Sequence, residues 1–379
     1  MKFIHLSDLH LGKRVNEFSM LEEQDAILKQ ILKIIDAEAP NGVLIAGDIY
    51  DKSVPSAEAV QLFDGFLCEL AKRHLQVFII SGNHDSPERI SFGSRIMDAS
   101  GIHLSPVYNG KIEPITMQDD YGKVTIYMLP FIKPSHIRRF YEDEDIITYT
   151  DAMHVAISAM NIDTSARNIL ITHQFVTGAT TCESEEISVG GTDNVDANIF
   201  TDFDYVALGH IHGAQNCGSE RVRYCGTPLK YSFSEAHHQK SVTVIELGAK
   251  DELNIRTVNL TPLHDMSEIR GTFAELTNPI YYTANPITEN YLHITLTDED
   301  DIPDAIGRLR MIYKNLMRLD YDNTRTRSHN IILGSTNTET KSAYELFAEF
   351  FEKQNNTAMS NEQSEYMKSL IEKIEEELA

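Results

Sequence analysis

The sequence predicts an α/β protein: a two-sheet sandwich flanked by helices, then a small α/β capping domain, then a C-terminal helical segment. Three observations lead to this. Short apolar runs rich in branched residues alternate with stretches of helical period up to about residue 248, as strands buried on both faces and their covering helices do. Each of five such runs is followed, two or three positions on, by a residue able to ligate metal. Two polar breaks, Gly248-Ala249-Lys250-Asp251 and Gly334 to Thr340, divide the chain into residues 1–248, 250–333 and 338–379.

Taken in order, the strand runs are Phe3-Ile4-His5-Leu6, Val43-Leu44-Ile45-Ala46, Val77-Phe78-Ile79-Ile80, Ile169-Leu170-Ile171 and Tyr205-Val206-Ala207-Leu208. Helical spacing predicts helices over about 20–38, 56–73 and 87–99, and a further strand falls near Val124 to Met128. Arg221 to Cys225 and Val242 to Leu247 close the first region as neighbouring strands, which argues for two layers of sheet with helices outside. Beyond residue 250, Tyr291 to Leu296 alternates as a strand, and Ile302 to Leu319 carries apolar residues at helical spacing. The tail has two helical patterns, Ser342–Gln354 and Ser360–Leu378. Phe347, Phe350, Leu370 and Ile374 fall on their apolar stripes; such a pair either docks on its own chain or is offered to a partner, and these four are the candidate contacts to a partner.

The polar residues after the five runs are Asp8 and His10, Asp48, Asn83 with His84 and Asp85, His173, and His210 with His212. In open α/β sheets, sites form outside the carboxyl ends of the strands, so these clusters are expected to meet. A lone histidine after a strand is ordinarily a satisfied loop residue; recurrence at five strand ends is not explained that way. Asp8, His10, Asp48, Asn83, His173, His210 and His212 supply enough oxygen and nitrogen donors for two divalent cations if one carboxylate bridges them. Within Gly-Asn-His-Asp, Asn83 offers an amide oxygen to metal and His84 a nitrogen to a scissile phosphate, while Asp85 can orient the loop. Imidazole titrates near neutrality, which suits His84 to general-acid work.

Composition narrows the classes. At 379 residues, two to three domains are expected. No run approaches the roughly 20 apolar residues of a membrane span, and the chain opens directly on a strand, so a cytoplasmic protein is expected. Cys68, Cys182, Cys217 and Cys225 include no Cys-x-x-Cys pair and are expected to be free thiols. A net charge of −24 is unlike a protein that grips nucleic acid alone, so affinity for DNA is expected to come partly from a partner. Local basic candidates are Lys13-Arg14, His136 to Arg139 and Arg308 to Arg318.

Asp-x-His, Gly-Asp-x-x-Asp, Gly-Asn-His-Asp, Thr-His and Gly-His-Ile-His, in this order, resemble the calcineurin-like metallophosphoesterase superfamily. The opening Phe-Ile-His-Leu-Ser-Asp-Leu-His-Leu-Gly, Ala-Gly-Asp-Ile-Tyr-Asp, and Ala-Leu-Gly-His-Ile-His with Tyr-Cys-Gly-Thr-Pro are similar to the nuclease subunits of bacterial SbcC–SbcD complexes. The match covers residues 1–248; beyond them it rests on domain order.

The resemblance implies a metallophosphoesterase sandwich in which Asp8, His10, Asp48 and His212 hold one metal. Asp48, Asn83, His173 and His210 would hold the second, and His84 would be the catalytic acid. It further implies two Mn(II) ions, DNA as substrate and an SbcC-type coiled-coil ATPase as partner. The assembly implied is a homodimer within a heterotetramer, in the cytoplasm and at the nucleoid when on DNA. The dimer contact is expected on the 56–73 and 87–99 segments, through Leu62, Phe66, Leu70, Phe92, Ile96 and Met97, the alternative being that these residues pack on the chain's own sheet. Asp51 stands where some archaeal relatives carry histidine, so no histidine role is inherited there, and the Gly178 to Gly191 loop matches no motif. The competing readings are a phosphoesterase for small esters on the same site and a scaffold of the same fold without metal. The units after residue 248 favour the nuclease over the first, and the complete donor set disfavours the second.

Overall fold

The computed structural model describes residues 1–185, 193–284, 287–324, 326, 343–355 and 358–378, with side chains left out at 343, 353–355 and 372–378. Two six-stranded sheets face each other. The first orders its strands Leu253–Asn259, Ser241–Leu247, Lys2–Leu6, Gly42–Ala46, Gln76–Ile80 and Ile102–Leu104. The second runs Gln215–Cys217, Ser219–Tyr224, Tyr205–Gly209, Arg167–His173, Gly122–Leu129 and Ile115–Asp119. The centre of each sheet is parallel; antiparallel strands lie on both sides of it in the second sheet and on one side in the first, whose other edge, Ile102–Leu104, is parallel as well. The carboxyl ends of Lys2–Leu6, Gly42–Ala46 and Gln76–Ile80 therefore share one edge, and those of Arg167–His173 and Tyr205–Gly209 share another.

Side-chain alternation along each strand builds three cores. Phe3, Leu44, Phe78, Ile126, Ile169, Tyr205 and Ile245 pack in the seam between the sheets. Ile4, Leu6, Val43, Ile45, Val77 and Ile79 turn the other way, onto the helices Leu21–Glu38 and Ala57–Lys72. Leu170, Val206 and Leu208 do the same in the second sheet, covered by helix Tyr149–Ser158. One polar pair sits inside the seam, where the ring nitrogen Nδ1 of His5 lies 2.9 Å from the Tyr205 hydroxyl. The helix-flanked sandwich expected from the sequence is thus present.

Two expected helices differ. The 87–99 segment is broken into Pro87–Ile90, Ser94–Met97 and a 3-10 turn at Asp98–Ser100. The break lies at Gly93, whose φ of 75° ends any right-handed helix. The 302–319 pattern is helical only over Ala305–Arg310 and becomes a strand over Leu316–Tyr321. Leu316 and Leu319 fit a helical period while Met317, Leu319 and Tyr321 alternate as a strand does, and pairing in the three-stranded sheet Met266–Gly271, Tyr291–Leu296, Leu316–Tyr321 decides between them. The cysteines are free, as expected, and Gln215–Cys217 pairs antiparallel with Ser219–Tyr224 as a hairpin.

The chain divides into two compact units, Met1–Thr295 with Pro303–Asp320, and Leu296–Ile302 with Tyr321–Ala379. Within the first, Glu23 joins the sandwich to the residues that follow it: its buried carboxylate accepts from the backbone N–H groups of Leu263 and His264 at 2.8 and 3.0 Å. The second holds the tail helices Ala343–Asn355 and Asn361–Leu378, joined by the Tyr344 and Ser364 hydroxyls and by Lys368 over the Tyr344 ring. Phe350, Tyr366 and Leu370 are exposed there and Phe347 half-buried, while the side chain of Ile374 lies outside the described residues. Among the described residues no helix is long and apolar enough to cross a membrane.

Candidate metal centre

The five strand ends converge, and the backbone there is held in conformations that residues other than glycine seldom adopt. Asp8, His10, Asp48 and His210 have φ of 52°, 43°, 48° and 106°. The motif glycines make the convergence possible. A Cβ on Gly82 would lie 2.1 Å from Asp48 Oδ1, and one on Gly209 would lie 1.9 Å from the Ala46 carbonyl oxygen. Asp85 braces two of the loops, with Oδ2 accepting from the N–H groups of Ile49 and Gly82 and Oδ1 from that of Tyr50, each at 3.0 Å. This is the loop-orienting part expected of it.

Asp48 lies at the middle. Its Oδ2 is 3.4, 3.8 and 3.9 Å from Nε2 of His173, His10 and His84. Ligand atoms of Asp8, His10 and His212, of Asp8, Asp48 and His173, and of His10, Asp48 and His84 each lie within 4.8 Å of one another. Asn83 Oδ1 is 2.9 Å from His173 Nε2 and 3.0 Å from His210 Nδ1. All seven residues expected as ligands are therefore brought together, with His84 beside them.

The donor set fits cations. His173 Nδ1 is 2.8 Å from the Ala46 carbonyl and donates to it, so in the neutral ring Nε2 carries a lone pair. That lone pair faces two oxygen acceptors, Asn83 Oδ1 and Asp48 Oδ2, an arrangement that needs a positive centre between them. His10 and His212 likewise direct Nε2 at each other across 3.2 Å. Asp8 and Asp48 are 0 % and 2 % exposed, and among the described residues neither is ion-paired to Lys or Arg. Buried carboxylates need such compensation.

Titration reflects this crowding. Burial presses the Asp8 carboxyl upward. It would raise Asp48 too, but the His173, His10 and His84 imidazoles hold that carboxyl well below the usual range. Burial opposes charge on His173, yet the Asp48 carboxylate outweighs it and pushes the ring up to about 9. His210, desolvated and beside His173, falls to about 3. Without metal, a proton on His173 takes the place of a cation.

His84 differs from the other imidazoles. Its side chain is 15 % exposed, against 1 % for His10 and 0 % for His173. Its backbone N–H donates to Asp48 Oδ1 at 2.9 Å, and its Nδ1 lies 3.0 Å from the Asp51 carbonyl oxygen, which leaves Nε2 toward the centre. Asp51 thus acts through its main chain, while its carboxylate pairs with Lys13 at 2.9 Å.

Sequence reasoning missed a second layer around His212. Ser184 Oγ is 2.7 Å from His212 Nδ1 and 2.7 Å from Glu235 Oε1. Glu185 Oε1 accepts from the His212 backbone N–H at 2.6 Å. Glu235 is paired with the buried Lys240 at 2.5 Å. Ser184 and Glu185 lie in the loop that matched no motif, and Glu235 and Lys240 stand in the polar run Ser234-Glu235-Ala236-His237-His238-Gln239-Lys240, where no period or spacing singles them out.

Comparison with known proteins agrees with this geometry. Residues 1–214 match the calcineurin-like phosphoesterase family, and residues 262–355 match SbcD_C, described as the type 5 capsule protein repressor C-terminal domain. The SbcD polypeptide of the SbcCD nuclease from Staphylococcus epidermidis is 33% identical over 336 residues, covering 87% of this chain and 88% of its own length. The protein of the same name from Staphylococcus saprophyticus is 32% identical over 348 residues, covering 90% and 91%. A solved dimetal phosphatase from Danio rerio aligns with a TM-score of 0.41 at 12% identity, over 68% of this chain and 95% of its own. With a strand-end cluster of aspartates and histidines and matches along nearly its whole length, the chain belongs to the calcineurin-like phosphoesterases and, among them, to the SbcD nuclease family.

Proposed function

We propose that this chain is a DNA nuclease using two Mn(II) ions and working with an SbcC-type coiled-coil ATPase. The observation that carries the reading is the Asp48 carboxylate, with three imidazole nitrogens directed at one of its oxygens and a second buried carboxylate, Asp8, beside it. On this reading Asp8, His10, Asp48 and His212 hold one ion, and Asp48, Asn83, His173 and His210 hold the other. Ions held there would supply a clamp for the attacking and leaving oxygens of an in-line displacement at phosphorus. Oxygen and nitrogen ligands suit manganese. His84, at the more open side of the cluster, donates its Nε2 proton to the leaving oxygen, and the Asp51 carbonyl keeps that nitrogen turned inward.

Residues 1–248 form the catalytic domain on this assignment, 250–333 the cap, and 338–379 the segment that binds the ATPase through Phe347, Phe350, Leu370 and Ile374. Exposed aromatic and aliphatic side chains on a helical pair support a docking role. Labelled linear and hairpin DNA should be cut by the purified chain with its ATPase and Mn(II), and chelation should stop cleavage. A chain ending at Asn337 should still hydrolyse small phosphodiesters with Mn(II) but fail to co-purify with the ATPase. Hydrolysis of small esters with DNA left intact under all these conditions overturns the nuclease reading.

The proposed homodimer narrows to part of the surface expected from sequence. Phe66 and Leu70 are buried against the chain's own first sheet, and Leu62 packs partly on the same core, so they are not offered to a second copy. Phe92 and Ile96 are 84 % and 80 % exposed. Joint replacement, Phe92→Ser with Ile96→Ser, should lower the solution mass from that of a dimer to near 42.8 kDa, read by light scattering at micromolar concentration. An unchanged mass places the contact elsewhere.

A further inference from the structure

His212 is held from three directions by residues outside the centre. Its backbone N–H donates to Glu185 Oε1 at 2.6 Å, its carbonyl accepts from Lys240 Nζ at 2.9 Å, and its Nδ1 meets Ser184 Oγ at 2.7 Å. The direction of the last bond follows from hydroxyl chemistry. Glu235 is fully buried and paired with Lys240 at 2.5 Å, so its carboxylate is ionised and only accepts. Ser184 has a single hydroxyl proton and gives it to Glu235 Oε1, 2.7 Å away. It can then only accept from His212, so the ring proton sits on Nδ1 and the lone pair on Nε2. That is the nitrogen facing His10 Nε2 at 3.2 Å.

We propose that Ser184 is a positioning residue that fixes His212 as an Nε2 ligand, and that it couples the 178–185 loop to the ion that His212 holds. The inference rests on the two-ion reading above. Partners that set the tautomer and ring angle of a ligating histidine are commonly worth about 10–100-fold in metal affinity. By linkage, an ion that favours the seated loop is itself favoured when the loop is seated.

Equilibrium dialysis against Mn²⁺ tests it on the full chain. The unsubstituted protein should bind two ions. Ser184→Ala should weaken one of them by about 10–100-fold and leave the other unchanged, the retained ion serving as the control for folding. Ser184→Thr, which keeps the hydroxyl, should bind close to the unsubstituted protein. Amide exchange in residues 178–185 should slow on adding Mn²⁺, and Ser184→Ala should abolish that difference. The inference is overturned if Ser184→Ala binds both ions with unchanged affinity, or if Ser184→Thr is as impaired as Ser184→Ala. Failure of the unsubstituted protein to bind Mn²⁺ at all overturns the two-ion reading and this inference together.

Discussion

Asp48→Ala is expected to take the chain from two bound ions to none and to remove phosphodiesterase activity with them. The carboxylate does two jobs that no neighbour duplicates. Its Oδ2 is the atom on which His10, His84 and His173 converge, at 3.4 to 3.9 Å, so removing it leaves the two halves of the donor set without a shared ligand. Its Oδ1 accepts the His84 backbone N–H at 2.9 Å and so fixes the 82–85 loop against the 47–48 loop. Asp48→Asn separates the jobs, since the amide oxygen keeps the second and loses the charge needed for the first. It should retain the unfolding temperature of the metal-free unsubstituted chain and still fail to hold metal. His10→Ala, by contrast, removes a ligand of one ion and should lower occupancy preferentially there. Inductively coupled plasma mass spectrometry gives the metal per chain directly, and full manganese occupancy in Asp48→Ala would refute the bridging role.

The legible part of the site was the part written in residue types at strand ends. An apolar run such as Val43 to Ala46 declares a strand buried on both faces, and a carboxylate two residues later declares what the fold does there. The rest was hidden for separate physical reasons. Asp51 orients His84 through a carbonyl, which every residue has, so no side chain announces it. Ser184 and Glu235 are 51 positions apart, and their meeting at His212 depends on how two loops fold back, which no local period encodes. The expected dimer surface illustrates the same limit: Leu62, Phe66 and Leu70 share a face at helical spacing, but spacing alone does not say whether that face meets the chain's own sheet or another copy. Short amphipathic stretches such as Leu316 to Tyr321 are ambiguous in period, and only the partner strand resolved that one.

His84→Ala should separate catalysis from metal binding. Two ions should remain bound, while turnover falls by about 10²–10⁴-fold, the usual contribution of a positioned general acid or base. Proximity alone leaves the residue's part open, because His84 Nε2 is as near to Asp48 Oδ2, at 3.9 Å, as a weakly held ligand would be. Two features favour the acid. Its ring is set edge-on to His10, with centroids 4.9 Å apart, and is the more exposed of the two, as a group that must meet a substrate has to be. Its Nδ1–H is committed to the Asp51 carbonyl, so a proton arriving at Nε2 makes an imidazolium that can pass that proton to a leaving oxygen and return to the neutral ring with no rearrangement. A ligand needs none of this exposure. His84→Gln reaches toward the same space with an amide that cannot transfer a proton at neutral pH, so it should bind metal and DNA as the unsubstituted chain does and be as slow as His84→Ala. Single-turnover cleavage on DNA with Mn(II), alongside metal content, reads both quantities. Loss of an ion in His84→Ala would make the residue a ligand, and turnover within a few-fold of the unsubstituted chain would leave the proton to water.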